Sequence, residues 1–216
     1  MSMDQVSKDL HRDGFTILDP LLSCSEIESV CVKLGQLPKS ATRTRRLLSW
    51  SWCARMAGVL KVNPRLAPLL PEGAVAIQAT YFPKTTQDNW KVALHRDYFV
   101  PVKKKVDAPG WHTWSSKEGM AFVRPPGEFI QRLIAVRIHL EACDSSNGPL
   151  VVVAGSHIEE VREPRHHCYV AAGGALVMNP LILHASSKLQ SGTRRVLHFL
   201  FGPRALPHGL EWANAV

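Results

Sequence analysis

The chain has 216 residues, 45% of them hydrophobic and 20% charged, with 14 Gly and 15 Pro. That composition excludes a disordered tail, a collagen-like repeat and a coiled coil, and the length suits one domain with a sizeable core. Lys and Arg number 26 against 18 Asp and Glu, a net charge of +8 that admits nucleic acid, anionic lipid or an acidic small molecule as partner and selects none.

The five cysteines, Cys24, Cys31, Cys53, Cys143 and Cys168, are odd in number and include no CxxC pair, as expected in a reducing compartment. The opening MSMDQVSKDLHRDGF has no apolar signal core, and WANAV at the other end is not an SKL-type address. No apolar stretch approaches the roughly 20 residues that span a bilayer. The expected location is cytoplasmic, away from membranes.

Residues 1–72 read as a helical preamble. Ser25 and Glu28 have the spacing of a capping box, and Ile27, Val30, Cys31 and Leu34 recur at helical intervals until Gly35 and Pro38. A second helix is expected around residues 49–60, with Trp52, Met56 and Leu60 on one face. Arg43, Arg45 and Arg46 lie between the two and read as a solvated basic face. His11 and Asp13, just before Gly14, read as structural residues at a turn.

From Gly73 the texture changes to β. The runs 74–82, 90–95, 132–141, 149–153, 175–178, 181–184 and 195–201 are short and β-rich, and Gly, Pro, Asn, Asp or Ser punctuate most gaps. Strands without intervening helices imply antiparallel sheets, hence a sandwich, jelly roll or barrel over 73–216. Residues 102–128, with Pro109, Gly110, Pro125, Pro126 and Gly127, read as one long binding loop or lid.

WKVALHRDY places His95 and Asp97 two apart at a strand end, so both side chains face the same space. A third ligand from a distant strand would complete a two-histidine, one-carboxylate face of the kind that non-haem Fe(II) oxygenases use. His184, closing LILH, is the best candidate. The HRD string is not a kinase catalytic loop: Val102 stands where that loop needs Asn, and no glycine-rich phosphate loop precedes it. A dicarboxylate cosubstrate would need a guanidinium fork at the far end of the pocket. Arg194 and Arg195 are adjacent on the last strand and point to opposite faces, so only one can look inward; Ser186 offers a hydroxyl to the same carboxylate.

HRD at 95–97, NGPLVVVAGSH at 147–157, HAS at 184–186 and GTRRVLHF at 192–199 resemble the phytanoyl-CoA dioxygenase family of Fe(II)/2-oxoglutarate oxygenases. DGFTIL at 13–18 and YFPKT at 81–85 are also similar to that family, and the match runs through nearly the whole chain in order. The resemblance implies a mainly β chain with N-terminal helices, its core a double-stranded β-helix (a cupin-like jelly roll). It implies iron on His95, Asp97 and His184, with 2-oxoglutarate held by Arg194, Ser186 and, at the pocket edge, Lys84. The loop before the arginine pair is one residue shorter than in many relatives, which keeps Arg195 as an alternative anchor. It further implies hydroxylation by O2 of an unactivated C–H in a small organic substrate, with 2-oxoglutarate decarboxylated to succinate. Arg96 stands where many relatives carry Gln and, as the middle residue, faces away from the metal. Asp97 argues against a halogenating relative, which would lack that carboxylate.

Trp111 and Trp114 on the long loop are candidate substrate contacts. His139 reads as a hydrogen-bonded sheet histidine, His157 as a loop anchor, His198 as core, and the His166, His167, Cys168 triplet as exposed loop rather than zinc site. Two other function classes stay in view: a catalytically silent jelly-roll binding module, separated by Fe(II) binding and succinate release, and an oxygenase acting on nucleic acid. The clusters at 43–46 and 103–105 lack aromatic interleaving or a known binding motif, which makes nucleic acid an unlikely partner.

Overall fold

The structure, a computed structural model, describes residues 3–38 and 44–216. The chain opens with α1 (Met3–Asp13), β1 (Phe15–Leu18), α2 (Cys24–Gly35) and α3 (Ser51–Lys61). It then runs through β2 (Val75–Thr85), β3 (Val92–His95), β4 (Val100–Val102), β5 (His112–Lys117), β6 (Met120–Arg124) and the short α4 (Gly127–Ile130). The remainder is β7 (Ile134–His139), β8 (Leu150–Val153), β9 (Arg165–Cys168), β10 (Ala175–Met178), β11 (His184–Ser186) and β12 (Thr193–Gly202).

A five-stranded sheet in the order β1-β10-β7-β12-β2 and a four-stranded sheet in the order β3-β11-β8-β9 are antiparallel throughout and enclose the jelly-roll interior. One face of the larger sheet, with Val136, Ile138, Leu197, Phe199 and Phe201, packs under the helices against Leu34, Ala57 and Leu60. Each of the Val, Ile, Leu and Phe side chains contributes about 1.5–3 kcal/mol by leaving water. The other face looks inward, and alternation along β2 and β12 therefore aims Thr80, Phe82, Lys84, Arg194 and His198 away from the helices.

Several local expectations shift. The capping box is Ser23 with Glu26, two residues earlier than expected: the Ser23 hydroxyl accepts from the Glu26 amide, and the Glu26 carboxylate accepts from the Ser23 amide. Residues 15–18 of the supposed helical preamble form β1, an edge of the larger sheet. Gly14 does make the turn before it, at φ +81 and against the His157 ring, where a Cβ would lie 2.5 Å from Nδ1. In α3 the buried face is Cys53, Ala57 and Leu60, one position round from Trp52 and Met56.

The region 102–128 is no open loop. It holds the hairpin β5–β6, turned at Glu118 and Gly119, both at positive φ, and β4 pairs with β6 to make a third small sheet. Residues 181–183 are a turn rather than a strand: the Ile182 amide donates to the Asn179 carbonyl and the Leu181 amide to Asn179 Oδ1, so the ladder starts only at His184. His166, His167 and Cys168 lie on β9, an edge strand. All five cysteines are unpaired. Among the described residues no helix is long and apolar enough to cross a membrane.

Candidate active site

His95 is the last residue of β3 and His184 the first of β11, and the two are direct partners across the antiparallel ladder. Their rings are 4.2 Å apart at the centroids. Asp97 lies just past β3 in a segment outside the ladder, where its amide donates to the Pro180 carbonyl at 2.9 Å. That bond turns the carboxylate towards both imidazoles: Oδ1 is 3.7 Å from His95 Nε2, and Oδ2 is 3.6 Å from His184 Nε2. One ligand atom from each residue falls within 4.8 Å of the others, and all three residues line a cavity of about 370 Å³.

These side chains fit a metal ion. His95 Nδ1 lies 2.8 Å from the Ala93 carbonyl oxygen and His184 Nδ1 lies 2.9 Å from that of Ile182. A carbonyl only accepts, so each Nδ1 carries a proton, which in the neutral ring leaves the lone pair on Nε2. Burial holds His184 below its ordinary pKa, the Asp97 carboxylate notwithstanding, which keeps the ring neutral. For Asp97, burial alone would raise the carboxyl, but the facing rings of His184, His198 and His95 and the Arg137 guanidinium, the one permanent cation among them, outweigh it and hold it below the ordinary carboxylate range. Two imidazole nitrogens and one carboxylate within 4.8 Å of one another, with the carboxylate oxygens 3.7 and 3.6 Å from the two nitrogens, form a donor set that one small cation can gather.

Arg194 and Arg195 take opposite faces, as alternation requires. Arg194 is buried and lines the cavity, with Nη1 donating to the Gly148 carbonyl and Nε left without a partner. Gly148 can hold that carbonyl because it sits at φ +68, where an added Cβ would lie 2.7 Å from the Ser187 carbonyl oxygen. Arg195 points out and pairs with Glu141, whose carboxylate also accepts from the Arg195 amide at 2.7 Å. Ser186 lines the cavity beside His184. Lys84 is fully buried behind it: Nζ donates to the Ser187 carbonyl at 2.6 Å and lies 3.4 Å from Ser186 Oγ.

A sequence profile of the phytanoyl-CoA dioxygenase (PhyH) family matches residues 10–196. The chain belongs to that family. Curated proteins give no match. Among solved structures the chain is similar to the non-heme alpha ketoglutarate dependent epimerase SnoN from nogalamycin biosynthesis, with TM-score 0.65 and 14% identity over 93% of this chain and 80% of that one. It is similar to iron-bound HygX from Streptomyces hygroscopicus, with TM-score 0.64 and 18% identity over 92% and 86%. It is similar also to the nickel complex of the non-heme monooxygenase ThoJ, with TM-score 0.65 and 16% identity over 98% and 82%. These likenesses establish the jelly-roll fold.

In this phytanoyl-CoA dioxygenase family member the two loop tryptophans do not line the cavity. Trp111 is buried, its ring 5.0 Å from Phe129, and Trp114 packs against the same core beneath Lys105. Their apolar area is worth more in that core than at a solvated mouth. The aromatic lining comes instead from Phe82, Trp90, Tyr98, Phe99 and Phe122. The basic segment is also more than a solvated face. Arg45 Nη1 and its amide bind the Glu118 carboxylate, Arg46 binds the Glu118 carbonyl, and Arg45 reaches the cavity. Arg43 lies outside the described residues.

The histidines sort differently from expectation. His157 Nε2 donates to the His11 carbonyl at 3.1 Å and does anchor its loop. His139 is buried with neither ring nitrogen partnered, and burial pushes it down to about 3. His198 lines the cavity and accepts at Nδ1 from Arg137 Nη1, 3.1 Å away. Arg137 is a cavity residue too. Cross-strand pairing of β7 with β12 sets Arg137 opposite His198, a juxtaposition no local pattern reveals. Arg96 is committed to structure: its guanidinium donates to the carbonyls of Leu181 and Ser156, tying down the segment that carries Asp97.

Lys84 carries a testable consequence. Burial pushes its ammonium down to about 8, with Arg194 and Arg137 adding to the effect. Below that pH the lysine is charged in the folded and unfolded chain alike, and the burial penalty is fully present. Between about 8 and its ordinary 10.5 the unfolded chain holds more protons, so stability rises with pH. Melting curves across that window are expected to climb more steeply for the wild type than for Lys84→Met; parallel curves would show that the lysine is not desolvated.

Proposed function

We propose that the chain is an Fe(II)- and 2-oxoglutarate-dependent dioxygenase that hydroxylates an unactivated C–H of a small organic molecule. The observation that carries this reading is the convergence of His95, Asp97 and His184 in the wall of a cavity that Arg194 also lines. Family membership and the neighbours with iron or 2-oxoglutarate bound support it.

His95 and His184 would hold the iron through Nε2 and Asp97 through its carboxylate, the two-histidine, one-carboxylate set that non-haem Fe(II) oxygenases use. The bound metal would supply oxygen activation at the expense of 2-oxoglutarate, which leaves as succinate and CO2. The residues of the chain do the rest. Arg194 pairs the distal carboxylate of 2-oxoglutarate, fixing it in position and plane, and the Ser186 hydroxyl donates to the same group. Lys84, through the Ser187 carbonyl, holds the strand that bears Ser186 and His184. The carbonyl acceptors at Ala93 and Ile182 lock both imidazoles in the ligating tautomer. Phe82, Phe99 and Phe122 exclude water around the reacting carbon.

Solved neighbours include an epimerase and a carbocyclase, SnoN and SnoK, as well as a monooxygenase. The carboxylate third ligand separates hydroxylation from halogenation, and the mass of the product separates it from epimerisation and cyclisation. The test is a metabolite screen with Fe(II), 2-oxoglutarate and O2, following succinate above the uncoupled background and weighing each product. A product one oxygen atom heavier is expected. An isomer or a product two hydrogens lighter would replace hydroxylation with epimerisation or cyclisation, and wild-type protein unable to bind metal would remove the oxygenase reading.

A further inference from the structure

Arg137 is a buried cation without a counter-ion. It rises from the middle of β7 into the cavity, within electrostatic reach of Arg194 and Asp97, and only 7% of its surface is exposed. Nη1 donates to His198 Nδ1, the guanidinium lies over the Phe82 ring at 5.4 Å, and Nε has no partner. Among the described residues no carboxylate comes within ion-pair distance of it. Two of the other cavity cations have carboxylate partners, Arg45 in Glu118 and Arg96 in Glu160. Burying an uncompensated guanidinium costs several kcal/mol, so an apolar side chain would serve the fold better at this point.

On the reading above, one carboxylate of 2-oxoglutarate goes to the metal end and the other to Arg194 with Ser186, and both of its charges are then matched. His198 accepts at Nδ1, which places its own proton on Nε2 and makes the ring a second donor beside the guanidinium. The walls next to this pair are aromatic.

We infer that Arg137 and His198 form an anion seat on the cavity floor for an acidic group, a carboxylate or a phosphate, carried by the organic substrate. The identity of the occupant rests on the oxygenase reading; the seat rests on the two side chains. An acid bound there neutralises the buried guanidinium, and the aromatic walls take the attached carbon skeleton towards the metal end. Neutral substrates leave the charge unpaired and are rejected, the usual way in which an unmatched polar group confers specificity.

The test loads the protein with Zn(II) and saturating 2-oxoglutarate, so that nothing turns over, and titrates benzoate against its neutral analogue benzamide by calorimetry. Wild type is expected to bind benzoate at least about tenfold more tightly, the scale of one charge-assisted hydrogen bond. Arg137→Met should bring the two probes within about twofold, leave 2-oxoglutarate affinity within about twofold, and raise the melting temperature by removing a buried charge. Arg137→Lys should keep part of the preference. Equal binding of the probes by wild type overturns the seat. A tenfold loss of 2-oxoglutarate affinity in Arg137→Met reassigns the residue to the cosubstrate, and a lowered melting temperature with the preference intact makes it purely structural. Wild type that binds no 2-oxoglutarate defeats the oxygenase reading alone, and the benzoate-benzamide contrast on unloaded protein then decides the seat.

Discussion

Asp97→Ala is expected to lower turnover of 2-oxoglutarate by more than about a thousandfold and to weaken Fe(II) binding with it, because it removes the one anionic ligand of the three. His95→Ala and His184→Ala should have effects of the same order, since each removes a lone pair that a backbone carbonyl has already oriented. The stability readout separates the three. Asp97 and His95 face the cavity, with side chains 43% and 40% exposed, and their loss should leave the melting temperature of the apo protein within a few degrees. His184 is buried, and its truncation opens a void as well. Anaerobic Fe(II) titration and succinate release measure the first effect, thermal melts the second. Turnover at the wild-type rate in Asp97→Ala would show that the metal, and with it the chemistry, lies elsewhere.

Arg194→Met should weaken 2-oxoglutarate about a hundredfold, whereas Arg195→Met should change it by less than about twofold. Loss of one partner of a buried, hydrogen-bonded charge pair costs about 2–5 kcal/mol, and a hundredfold lies within that range. Arg194→Lys should recover only part, because an ammonium cannot reproduce the planar fork. Arg195 is tied to Glu141 at the surface, a partly exposed pair worth about 1 kcal/mol or less, so its variant should report on stability alone. Equilibrium binding of 2-oxoglutarate to the metal-loaded variants decides the matter. Equal losses in both would mean that strand β12 enters the ladder in another register.

The contrast between these arginines marks how far the chain can be read without its fold. Strand alternation says that one of two adjacent residues faces in; the pairing of Arg194 with Lys84 and of Val196 with His139 says which. Hairpin β5–β6 escaped notice because its turn is Glu-Gly rather than Asn-Gly and its first strand is polar and half-exposed. Strand β1 escaped because four residues between helical segments carry almost no periodic signal. The tryptophans show another limit: a large aromatic ring in a segment rich in Pro and Gly looks like a ligand cap, yet Trp111 packs on Phe129 and neither Trp111 nor Trp114 is in the cavity lining.

What the chain alone determined is the local chemistry: an imidazole and a carboxylate two residues apart, a second imidazole at a strand start, an arginine pair near the last strand, and the β texture of the segments bearing them. These are short-range properties, set by side-chain period and composition. The tertiary structure alone decided which distant groups share a space: His95 against His184, Asp97 turned by Pro180, and Arg137 beside His198, 61 residues away. Strand register fixes those meetings, and register depends on the summed burial of two sheets, a quantity spread over the whole chain and written in no single stretch of it.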